Sequence, residues 1–109
     1  MPAGAASLPL LAITEQADGV FRLSGPLTFP FVRAACTDGV RRLAASAAPV
    51  LELDCHEVAE VDSAGLALLV EWLAWARASG RRMRISGTPQ HLRELAAISE
   101  VDGLLADGV

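Results

Sequence analysis

The chain has 109 residues, 52% hydrophobic and 20% charged, with 9 Lys+Arg against 13 Asp+Glu for a formal charge of −4. That is one small domain, able to bury a single core without disulfides or a structural metal and too short for a barrel-type enzyme. No run approaches the roughly 20 apolar residues of a membrane span, and the acidic balance argues against non-specific nucleic-acid binding.

Residues 1–9 read as a flexible N-terminal segment and residues 10–109 as a single domain. No positive residue precedes the apolar part of Met1–Leu11, so the layout of a secretory signal is missing and a cytoplasmic protein is expected. Leu10–Thr14 and Val20–Ser24 read as strands joined at Asp18-Gly19, a hairpin turn signal. Gly25-Pro26 is expected to end the second strand. Thr28 is the expected cap of a helix that tolerates Pro30 in its first turn and runs to about Ser46. Val32, Cys36, Val40 and Leu43 form its inward stripe, and Gly39 weakens it.

Val50–Asp54 reads as a strand buried on both faces, with Val58 and Val61 packing beneath the loop that follows. A second helix opens at Asp62-Ser-Ala-Gly65 and stops at Ser79-Gly80. Met83–Ser86 is a strand, Thr88-Pro89 a helix start, and Gln90–Ser99 a third helix anchored by Leu92, Leu95 and Ile98. A last helical turn spans Val101–Leu105. The order β-β-α-β-α-β-α-α, with right-handed crossovers, predicts a small α/β sandwich whose mixed sheet is flanked by helices chiefly on one face.

Ser63 stands where a helix N-cap belongs, which by itself accounts for a serine. It equally suits phosphorylation, since a helix N-terminus favours a phosphate. Asp54 and Asp62 are candidate supporting groups, either as ordinary loop residues or as groups that position a hydroxyl or a metal. On the second helix, Leu66, Leu69, Val70 and Leu73 make one apolar stripe. Leu68, Trp72 and Trp75 make another, with Glu71 alongside. Either the third helix or the N-terminal arm covers the second stripe, or it is a partner surface anchored by tryptophan. Arg81, Arg82 and Arg84 read as complements to the negative end of the second helix.

Cys36 and Cys55 lack CxxC spacing and read as two buried thiols rather than a disulfide or zinc site. Cys55-His56 has no further ligands at zinc-like spacing, and His91 reads as a helix-surface residue. No phosphate-binding glycine loop and no nucleophile with a base is present, so neither catalysis nor a cofactor is expected.

Leu51-Glu-Leu-Asp54, Val58 and Val61-Asp-Ser-Ala-Gly-Leu66 together resemble the signature of STAS domains. Gly25-Pro-Leu27 and Ser86-Gly87 fit the same pattern, and the resemblance covers nearly the whole chain. Within the family, Leu66-Ala-Leu-Leu69 in its apolar helix looks most like the MlaB-type subunits of Mla phospholipid transporters. That resemblance implies a non-enzymatic cytoplasmic subunit, peripheral at the inner membrane, which binds and stabilises or activates an MlaF-like ABC ATPase in complex with an MlaE-like permease. Its role would be to support outer-membrane lipid asymmetry. The implied interface contains Ser63, Leu68, Glu71, Trp72 and Trp75, supported by Asp54, Asp62 and Gly65. The SpoIIAA-like anti-sigma factor antagonists of the family imply an alternative, in which phosphorylation of Ser63 blocks binding to a kinase-type anti-sigma factor. A homodimer through the tryptophan stripe is a further expectation for the isolated chain.

Overall fold

The computed structural model describes residues 10–108; the expected flexible segment, residues 1–9, lies outside them. Strands β1 (Ala12–Ala17) and β2 (Val20–Leu27) are followed by α1 (Phe29–Ala45), β3 (Val50–Val61) and α2 (Ser63–Ala78). Strand β4 (Arg82–Ser86), α3 (Gln90–Ile98) and α4 (Asp102–Asp107) complete the chain. The four strands lie in sequence order, β1 antiparallel to β2 and the other pairs parallel, as their helical crossovers require.

Strands β2 and β3 run further than their sequence suggests, and β1 continues past Thr14 to Ala17. Gly25-Pro26 does not end β2, because Gly25 pairs with Val58, Pro26 with Glu60 and Leu27 with Val61. Strand β3 accordingly continues from Asp54 to Val61 rather than giving way to a loop. The register against β2 slips between Arg22 and Ser24 and again between Gly25 and Pro26, each time with an extra residue on β3. Bulges of this kind admit a proline inside a sheet. They also turn the inward spacing of β3 from two residues (Leu51, Leu53, Cys55) to three (Val58, Val61), which hides the strand from any period-two reading.

Among the described residues only one face of the sheet is covered. Phe21, Leu23, Leu51, Leu53, Cys55, Met83 and Ile85 are buried on it. The intervening Arg22, Glu52, Asp54 and Arg84 stand on the other, so β3 is not enclosed on both sides as expected. On that open face Ser86 donates to Glu52 at 3.3 Å and Arg22 lies 3.6 Å from Asp54. Helix α2 lies between α1 and α3. Leu92, Ala96 and Leu105 of the last two helices are buried, but the expected anchor Ile98 is 80% exposed. It falls outside the inward arc set by Leu92, Leu95 and Ala96.

Candidate functional site

Because β2 and β3 end as a pair at Leu27 and Val61, α1 and α2 begin side by side. Asp62 joins the two starts. Its Oδ1 accepts the Gly65 amide at 3.0 Å, and its Oδ2 accepts the Phe29 amide at 3.0 Å. Its own amide donates to the Leu27 carbonyl at 3.3 Å. One carboxylate thus satisfies an orphan donor on each of two helices. Thr28, the expected cap of α1, makes no side-chain cap bond, and α3 begins after Pro89 without one. Burial opposes ionisation of Asp62, but the amides of Phe29, Gly65 and Ala64 outweigh it and hold the carboxyl below its ordinary 3.8. Gly65 makes the junction possible, because a Cβ there would run into the Leu27 carbonyl.

With Asp62 as the N-cap, Ser63 is the first helical residue, is exposed, and has no capping task. It heads an outward stripe of α2 formed by Ser63, Ala67, Glu71, Ala74 and Ala78, all exposed. Glu71 is the one charge on that stripe. A groove of about 400 Å³ runs along its α1 side, lined by Val32, Arg33, Cys36, Ala64, Ala67 and Glu71 among others. A second groove, of about 350 Å³, runs along the α3 side between Ser63, Leu66, Ala67, Val70, Glu71 and the Ser99 and Val101 of the α3–α4 junction. Ala67 and Glu71 line both and form the ridge between them. Two large apolar side chains stand open nearby. Phe29, bonded through its amide to Asp62, is 73% exposed, and Ile98 immediately precedes Ser99 of the groove wall. Phe29 and Ala67 were not singled out from the sequence, and Ile98 was read there as a core anchor rather than a surface residue. Their signal is weak, since each becomes a surface residue only through the way the three helices pack.

The tryptophan stripe is not a surface. Trp72 is 0% exposed and Leu68 is also buried; among the described residues the cover is α1 and not α3, while the N-terminal arm lies outside them. The indole Nε1 of Trp72 donates to the Cys36 carbonyl at 3.3 Å, and its ring lies where a Cβ on Gly39 would fall. Trp75 is half-buried, with the Arg81 guanidinium 5.8 Å from its ring centre. That guanidinium also donates to the Leu43 carbonyl at 3.0 Å, so Arg81 closes the end of α1, while Arg82 and Arg84 are exposed. At about 100° per residue the buried side chains of α2, from Leu68 through Trp72 to Leu66, span roughly 160°. The two stripes are one wide arc because α2 is flanked on both sides and floored by the sheet.

Of the residues selected from sequence, Asp62, Ser63 and Gly65 are brought together, with Glu71 two turns along α2. Asp54 is not among them. It sits eight residues upstream on β3, about 25 Å of strand away, where it accepts the His56 amide at 3.0 Å and the His56 Nδ1 at 2.7 Å. The His56 amide, then its ring, hold Asp54 below its ordinary value against the opposing effect of burial. Asp54 and Asp62 are therefore too far apart to share a metal, and among the described residues no group of three or more His, Cys, Asp or Glu could hold one. Both cysteines are free; burial pushes the Cys55 thiol up to about 12. Among the described residues no helix is long and apolar enough to cross a membrane.

The family model described as "Mlab, STAS domain" matches residues 12–106. No curated protein sequence matches the chain. Among solved structures, the unphosphorylated form of the anti-sigma factor antagonist SpoIIAA superposes with a TM-score of 0.67 at 16% identity, covering 85% of this chain and 83% of that one. That likeness is one of fold.

Proposed function

The chain belongs to the STAS domain family, and from that premise we propose that it is a non-enzymatic docking subunit of a phospholipid-transporting ABC transporter of the Mla type. It binds the cytoplasmic ATPase through the outer face of α2, stabilises or activates it, and is held at the inner membrane by that complex with the permease. The observation that carries this reading is the Ser63–Ala67–Glu71 ridge, set between two grooves and flanked by exposed Phe29 and Ile98. Grooves with apolar walls beside exposed large apolar side chains are features of interaction surfaces. The MlaB label of the matching family model and the MlaB-like Leu66-Ala-Leu-Leu69 stretch support the transporter class of partner.

The test is purification of the tagged chain from its own cells alongside an Ala67→Arg variant, with mass spectrometry of the partners and of the Ser63 peptide. An ABC ATPase and permease recovered with the wild type and lost with Ala67→Arg is the expected result. One observation favours a second reading, an antagonist switched at Ser63: the hydroxyl is exposed at the start of α2 and is not the cap. Recovery of a kinase-type anti-sigma factor, with Ser63 phosphorylated in part of the population, would replace the transporter reading with that one.

A further inference from the structure

Resting on the docking reading above, we propose that the groove between α2 and the α3–α4 junction receives a partner segment presenting an apolar side chain beside an arginine or lysine, with the cation pairing with Glu71. The floor and walls contributed by Leu66, Ala67, Val70 and Val101 suit the apolar part. Glu71 supplies the groove's one charged lining group, and no basic residue lines it. Among the described residues Glu71 makes no salt bridge, whereas other surface carboxylates such as Asp38 and Glu57 do. The junction beside it adds negative field, because exposed Glu100 and Asp102 bracket Val101.

The α1-side groove does not offer the same site, since Arg33 lines it and opposes a second cation. Charge complementarity therefore selects the α3 side and a basic partner. Glu71 is exposed in the free chain, where an ion pair is worth little. Docking a segment over the groove removes water and makes the pair stronger and more selective.

The experiment titrates the purified ATPase of the transporter into the wild-type chain, Glu71→Gln and Ala67→Arg by calorimetry, at low and at high ionic strength, after thermal unfolding shows all three folded alike. Glu71→Gln is expected to bind about tenfold more weakly at low ionic strength and to lose much of the salt dependence. If Ala67→Arg abolishes binding while Glu71→Gln matches the wild type in affinity and salt dependence, the cation pairing is overturned and the docking face stands. If the wild type does not bind, or Ala67→Arg binds as it does, the docking reading falls and the pairing with it.

Discussion

Asp62 concentrates more of the site's order than any neighbour, because its two oxygens hold the first turns of two different helices. Replacing it with alanine removes both caps, and an expected loss of roughly 2 kcal/mol follows from about 1 kcal/mol per cap; urea denaturation measures it. The same bonds give a pH dependence. The folded carboxyls of Asp62 and Asp54 both lie below their ordinary 3.8, so the unfolded chain takes up protons first as pH falls. Their contribution is complete above the unfolded value and drains away as pH drops through the folded ones, from about pH 4 downward. Urea midpoints followed against pH should show that decline, and Asp62→Asn should reduce it. Glu100 is a residue of the opposite kind. It ends α3 in the left-handed region, at φ 61°, where glycine carries no Cβ penalty. Glu100→Gly is expected to stabilise the fold by roughly 1 kcal/mol in thermal unfolding.

At the level of elements, the contact of α1 with α2 is the most demanding packing in the molecule. Trp72 fills it against Gly39, so Trp72→Ala should cost about 3–5 kcal/mol of folding stability. Gly39→Ala should destabilise by about 1–3 kcal/mol through overpacking even though alanine is the better helix former; both are read by chemical denaturation. This is where the sequence was least legible. A helical wheel shows which side chains are apolar but not how many neighbours a helix has, and α2 has one on each flank. The tryptophans therefore read as a second surface, while the actual surface is a stripe of serine and alanine with little hydrophobic signal. Strand β3 was half legible for a related reason: up to Asp54 its alternation is regular, and beyond it two bulges change the period. Punctuation by Asp18-Gly19, Ser79-Gly80 and Pro89 made the order of elements readable, because turns and helix ends depend on local chemistry that packing does not override.

Across the whole molecule, a sheet covered chiefly on one face has α1, α2 and α3 packed side by side and α4 set against β4, which leaves the pole around Asp62 and Ser63 as the place where α1, α2 and the α3–α4 junction meet solvent together. Exposed Phe29 and Ile98 mark its two margins. Replacing both with serine should leave the free energy of unfolding within about 0.5 kcal/mol of wild type, yet, on the proposed docking role, weaken capture of the ATPase at least tenfold, a surface-plasmon comparison. The sheet has one more property that follows from its strand order, β1-β2-β3-β4. Among the described residues every strand hydrogen-bonds only to those made immediately before or after it, so none waits on a distant segment. The loop-closure entropy of each pairing is limited to one hairpin or one helical crossover. A chain emerging from the ribosome can lay down its sheet in the order of synthesis, with the pole around Asp62 and Ser63 completed when α3 and α4 follow.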